Sequence, residues 1–497
     1  MRALLPLLAV LLFAAPASAE PLWTLRPKPK GFSYGGTFTT TVAPDLRMEG
    51  EYEDRFAWRN DLSFRVKHKF ADDARYAIGA RLRWQLRSGD RLEADLWLDL
   101  EPTWFQFRKD FFSLRAGLQT MKWGRNLLLS PTDIVNPLDY TKGLSTGDPV
   151  DAKIPLLMVR TTFDLSPVTI DLLFVPFFQP MRVAWYGQDF AVLRPGMLEG
   201  ILPTLRPDTG SGLADDELRK ASDRVVDAIT GLDAYARDGL QSYLVASLPE
   251  ELPWNGDLGA RLGLTGRGVD GDVYFLWTVV DQPAITLHPA LREPLLNNRL
   301  PTSAELTQLT NPDESLITTE YHRGILAGGD VVLAKGGFVL SVEGAFRSHT
   351  VRYRETMEPF LSPAVQYAVA LRYTHRSVLA LDVEFGHDIV LRPAEDMLVH
   401  RPHNLQVALG ASLSLLRDRL QILLTGSYNI LRRDLFVHPR ITVELDDRLS
   451  VAFGAQIFEG FRADVEPTLD SFLSYEGGIP GYFRENDYAY GTVQVDF

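Results

Sequence analysis

Cysteine is absent from the 497 residues. That excludes thiol catalysis, disulfide scaffolds and cysteine-ligated metals. Long apolar runs are missing as well. Beyond residue 20 none reaches the roughly 18 residues of a spanning helix, so a helical membrane protein is excluded. A basic excess is also missing: 51 Lys and Arg stand against 64 Asp and Glu, a net charge of -13. Nucleic acid is therefore not expected as a partner. Neither a G-x-S-x-G elbow nor an H-E-x-x-H zinc motif occurs, and we expect no enzyme, no cofactor and no metal. What the chain has in quantity is aromatics. With 27 Phe, 17 Tyr and 9 Trp, it cannot be a solvated, disordered chain.

The first residues read as an address. Arg2 precedes an apolar stretch from Ala3 to Ala15, and Ala17-Ser18-Ala19 is an A-x-A cleavage site. A membrane anchor would need a longer stretch, so 1–19 is expected to be a cleaved signal peptide and 20–497 the mature protein.

The rest of the chain alternates with period two. From 56 to 70 the even positions give Phe56, Trp58, Leu62, Phe64, Val66 and Phe70, and the odd ones Arg59, Asp61, Ser63, Arg65, Lys67 and Lys69. A strand sends successive side chains to opposite faces, so this is a strand with one apolar and one charged face. The next run repeats it, with Tyr76, Ile78, Leu82, Trp84 and Leu86 against Arg75, Arg81, Arg83 and Arg87. Further strands are expected around residues 36, 97, 116, 159, 172, 263, 276, 326, 342, 369, 384, 409, 425, 441 and 453, and at 488–497. The connections between them alternate short and long, with long ones at 124–153, 178–256 and 281–317 among others. That phase predicts a transmembrane antiparallel up-and-down β-barrel of about 16 to 18 strands, with short turns inside and long loops outside. Trp58 and Trp84 near one rim, and Phe70 and Tyr76 near the other, suit the two membrane interfaces.

The final residues are Tyr-Ala-Tyr-Gly-Thr-Val-Gln-Val-Asp-Phe. An alternating strand that ends on Phe497 resembles the assembly signal of Gram-negative outer-membrane barrels. The resemblance implies an outer-membrane location, contact with lipid and lipopolysaccharide, and handling by the barrel assembly machinery. A homo-oligomer stays open, since its interface would look like lipid-facing surface.

The inward face is charged. Arg59, Arg65, Lys67, Arg81, Arg83 and Arg115 are expected to line a pore, with Asp95, Asp99, Glu101, Glu343, Asp382 and Glu384 opposing them. Guanidinium groups facing carboxylates would set a transverse field that sorts charged solutes. Equally, Arg81 and Arg83 could pair with Asp95 and Asp99 to brace the wall. The loop 124–153 carries Leu127-Leu128-Leu129, unusual for a solvated loop, and is expected to fold inward as a constriction with Arg125, Asp133, Asn136 and Asp139. Its Trp123-Gly124-Arg125, Ser130-Pro131-Thr132-Asp133 and Asn136-Pro137-Leu138-Asp139 resemble a segment of the porin-like DUF1302 barrels. In 178–256, Leu218, Ala221, Val225, Ile229, Leu232 and Ala236 recur at helical spacing, behind Asp215 and Asp216. His387-Asp388 would place its His on the lipid side, and His400 with His403 reads as a solvated loop.

The expected function is passage of a small solute across the outer membrane. Two alternatives stand beside it: a closed-lumen barrel serving as a surface-binding or envelope-assembly protein, and an exporter of a hydrophobic molecule through the barrel wall.

Overall fold

The computed structural model describes residues 31–46, 56–88, 92–142, 152–183, 217–225, 227–228, 256–297, 299–398, 402–461 and 477–497. The signal peptide, most of the 178–256 loop and His400 lie outside these residues.

Eighteen strands form one sheet. The first group is β1 (Phe32–Pro44), β2 (Phe56–Lys69), β3 (Ala74–Ser88), β4 (Leu92–Lys109), β5 (Phe112–Gln119), β6 (Leu156–Leu165), β7 (Val168–Val175), β8 (Asp257–Thr265) and β9 (Val269–Val279). A small separate pair, β10 (Ala284–Leu287) and β11 (Ile317–Glu320), intervenes. The wall then resumes with β12 (Arg323–Lys335), β13 (Phe338–Tyr353), β14 (Pro359–His375), β15 (Leu379–Val390) and β16 (His403–Leu415). It ends with β17 (Leu420–Asn429), β18 (Asp434–Glu444), β19 (Leu449–Gly460) and β20 (Tyr488–Asp496).

Each strand pairs antiparallel with its neighbours, and β20 closes on β1 through Thr41↔Thr492. Closure matters because hydrocarbon cannot satisfy a free sheet edge. Every strand expected from the alternation lies in this barrel, at the upper end of the expected count. The pair β10–β11 was not expected, because four-residue strands are too short for alternation to register. His403 is a correction: it opens β16 rather than lying in a loop, and its Nδ1 is 3.2 Å from His387 Nε2.

The faces follow the parity. Leu62, Phe64, Ile78, Leu172, Val273, Leu371 and Phe453 are exposed on the outside, forming the apolar band of a barrel wall. At the short-turn rim, aromatic rings link up across strands: Phe32 to His68 at 5.8 Å, His68 to Tyr76 at 5.5 Å and Phe70 to Phe105 at 6.1 Å. The wall is uneven in height. β5 to β8 have 8 to 10 residues each, whereas β3, β4, β13 and β14 have 15 to 18.

Outside the barrel, helix 217–225 packs on the helices Pro289–Leu296 and Ser303–Thr310. Ala221, Val225, Ala290, Leu291, Leu309 and Leu316 form the core of this small cap. Tyr353 ties it to the wall, accepting from Ile285 N at 2.9 Å.

Candidate functional site: a divided lumen

The largest apolar core of the described residues lies inside the barrel. After β5 the chain leaves the wall and crosses the interior. Trp123, 1% exposed, packs with Leu173, Tyr274, Leu276 and Leu326, its ring 5.3 Å from that of Tyr274. Room for this path comes from small inward residues. A Cβ on Gly259 would sit 2.9 Å from the Trp123 ring, and one on Gly386 would sit 3.1 Å from Leu129 Cδ1. Gly124 takes φ +82, and a side chain there would meet Ser130 Oγ at 2.3 Å. Only glycine tolerates both conditions.

Two wall carboxylates hold the loop. Glu384 accepts from Leu127 N at 2.7 Å, Leu128 N at 3.1 Å and Leu129 N at 2.5 Å. Glu343 accepts from Asn126 N at 2.5 Å, Ser130 Oγ at 2.7 Å and Thr132 Oγ1 at 3.1 Å, and from Arg125 N. Successive amides facing one anion form a nest. Of the three leucines, Leu128 and Leu129 turn their side chains to the wall at Gly410 and Gly386, while Leu127 stays exposed. Arg125 reaches Asp272 at 2.6 Å. Lys153 Nζ holds Asp133 at 2.6 Å; burial keeps the Asp133 carboxyl above its ordinary value, against the opposing pull of Lys153. Asn136 Nδ2 donates to Gln119 O at 3.0 Å and Ile154 O at 2.9 Å. Burial also pushes the Tyr140 phenol up to about 12.

These contacts correct part of the expected pore lining. Glu343 and Glu384 are 1% and 0% exposed. They lie under the loop and do not face the basic wall across open space. Asp382 is also buried, with Arg372 Nε at 2.7 Å. Arg115 stacks over Trp104 at 4.4 Å and donates to Gln106 at 2.8 Å, nearer the short-turn end. Of Asp95 only the backbone is described, opposite Gln85.

The open space lies on the other side. A cavity of about 810 Å³ runs along β1 to β4 and β18 to β20. Arg59, Arg65, Lys67, Arg81, Arg83, Asp99, Glu101 and Asp139 all line it. The bracing pairs match those expected in one contact, Arg83 with Asp99, and differ in others. Arg81 and Arg65 share Glu101 at 2.9 and 2.8 Å, while Arg83 binds Asp61 at 2.7 Å and lies 3.8 Å from Asp99. Arg81 stands directly opposite Asp99 in the register, but its guanidinium reaches diagonally to Glu101, which lies over Gly79 where no side chain intervenes. Arg87, on the charged face of β3 as expected, lines the cavity too, and so do Arg182 and Arg440, which were missed. Arg440 had a signal, its phase opposite the exposed Ile441. Arg182 had none, since it sits in a loop. In all, eight basic and six acidic side chains border the space. Arg59, Lys67 and Arg440 make no ion pair within 4.0 Å among the described residues.

A closed antiparallel barrel, apolar outside, with a polar cavity beside a loop that folds inward, is a porin-like architecture. The chain belongs to the DUF1302 family, a family described as protein of unknown function, whose model matches residues 57–391. No curated protein matches it. Among solved structures it is similar to OccAB1 of Acinetobacter baumannii, at 7% identity and TM-score 0.48 over 94% of this chain and 96% of that one. OccAB4 of the same organism gives 8% identity and TM-score 0.45 over 95% and 98%. OmpF of Salmonella typhi, solved with daunomycin, gives 7% and 0.38 over 94% and 97%.

Proposed function

We propose that the protein is a passive channel of the Gram-negative outer membrane, admitting small polar solutes with a preference for anions. The observation that carries this reading is the open basic half of the lumen, where eight cationic side chains outnumber six carboxylates and three of the cations have no ion-pair partner among the described residues. Charged groups inside a low-dielectric wall act strongly on a passing ion. The cavity volume suits a small molecule. Residues 124–139 act as the constriction, with Asp139 at its open edge beside Arg182.

The outward apolar band supports the membrane placement, with lipid and lipopolysaccharide as surroundings. Phe497 supports handling by the assembly machinery. It extends β20 against β1, donating from its N to Gly36 O at 3.0 Å, and leaves its ring accessible.

The test is single-channel conductance of the refolded protein in a planar bilayer, with the reversal potential read across a potassium chloride gradient. Discrete steps with a reversal potential on the chloride side are expected. A folded, heat-modifiable barrel that conducts nothing would overturn the reading in favour of a closed lumen that works through its outer surface.

A further inference from the structure

The low part of the wall has a consequence for what can leave the lumen. β4 pairs with β3 along its whole length, Leu92↔Ser88 to Phe107↔Ala74. On its other edge it pairs with β5 only from Thr103 to Lys109. From Leu92 to Pro102 that edge has no strand partner among the described residues. Beyond it, β5 to β8 stay low. The eight residues of β7 span about 26 Å of strand at about 3.3 Å each, which a tilt near 40° reduces to about 20 Å of height. An outer-membrane barrel's apolar band is about 25 Å tall. The short turns align at one rim, so the wall falls short at the outer leaflet.

A side pocket of about 330 Å³ sits at this step. It shares Arg65, Arg81, Asp99 and Glu101 with the main cavity. It is also lined by Leu100, Pro102, Ile154 and Pro155. Leu100 has the parity of Leu96 and Leu98, which are exposed on the outside, whereas Asp99 and Glu101 face inward. The pocket follows β4 from Asp99 to Pro102, beside the edge that β5 leaves unpaired. Its two lips carry Pro102 and Pro155. Proline has no N–H, so these lips put two fewer unpaired donors where lipid could not satisfy them.

We propose that this pocket is a lateral exit, through which an amphiphilic anion with a slim apolar tail passes from the lumen into the outer leaflet. Lys67 and the arginines conduct its head, and Leu100, Pro102 and Ile154 pass its tail. The proposal goes beyond a water-filled pore and does not require one.

Because the chain has no cysteine, the exit can be bridged cleanly. Leu100→Cys with Pro155→Cys would be joined by a short bis-maleimide in proteoliposomes. The probe is radiolabelled decanesulfonate, anionic at any working pH, loaded on the short-turn side and captured outside by albumin. The unbridged double variant should transfer it well above protein-free vesicles, and bridging should return transfer to the protein-free rate while chloride conductance persists. Transfer that survives bridging overturns the exit, as does loss of transfer and chloride current together, since the route is then the lumen alone. Should the cysteine pair not fold, Leu100→Trp fills the same window and is read in the same way. A protein without chloride conductance sinks the pore reading, and the sulfonate transfer still decides the exit.

Discussion

Between β6 and β16 the inward side chains meet protein; between β18 and β4 they meet open space. The first half is packed as a soluble protein core is packed, around Trp123 and Tyr274, with Glu343 and Glu384 fully buried. The second half is a lattice of arginines and carboxylates around a cavity. Both halves use charged residues on inward strand positions. Guanidinium pairs occur in both, as Asp171 with Arg160 and Asp382 with Arg372 show on the packed side. What sets the packed side apart is Glu343 and Glu384, which accept backbone amides of one loop instead. An inward acid in a barrel is therefore either a wall brace or a loop anchor, and the sequence position alone does not separate the two.

The most damaging change to this division is Glu343→Gln together with Glu384→Gln. It removes charge-assisted bonds worth about 1.5–3 kcal/mol each. The loop should come away from the wall and single-channel conductance should rise by about twofold, in keeping with a wider constriction; an unchanged step size would mean the loop is held by other means. Trp123→Ala should cost about 3–5 kcal/mol of loop stability, read as faster proteolysis within 124–153 and a lower urea midpoint. Thr39→Ala, on the open side, should cost less than about 0.5 kcal/mol, and equal losses would erase the contrast between the halves.

Arg59→Glu with Arg440→Glu should shift the chloride-to-potassium permeability ratio by about threefold or more toward potassium. Arg372→Gln, whose partner Asp382 lies away from the cavity, should leave the ratio alone. The effect of the first pair should shrink at high salt as screening sets in. The smallest effect is alkaline. The buried Tyr140 phenol has its value raised to about 12 from the ordinary 10. A raised phenol contributes stability that is complete below 10 and is lost as the pH climbs to about 12. Conductance noise from the loop should grow in that window and less so in Tyr140→Phe.

The barrel was legible because alternation needs only one face in lipid and one in the lumen, as Leu62, Phe64, Arg65 and Lys67 show within one strand. Cavity residues on regular strands, such as Arg59 and Arg81, were legible for the same reason. The roles of Glu343 and Glu384 were not, because they depend on a loop more than two hundred residues away, Leu127 to Glu384 being separated by 257 positions. Inward glycines were the available signal. Gly259 and Gly386 break the run of larger inward side chains where the loop lies. The pairing of Arg81 with Glu101 escaped because periodicity gives the face of a side chain but not whether it reaches straight across, to Asp99, or diagonally, past Gly79.

The separation between the loop and its anchors bears on how the barrel is put together. Such contacts form late, because a long chain must close before they can be made. A slip of one position in β13 would turn Glu343 toward lipid and leave the donors of Arg125, Asn126, Ser130 and Thr132 without their acceptor. The buried glutamates therefore check the register of strands laid down long after the loop itself, and a misthreaded barrel would leave that loop without its anchors.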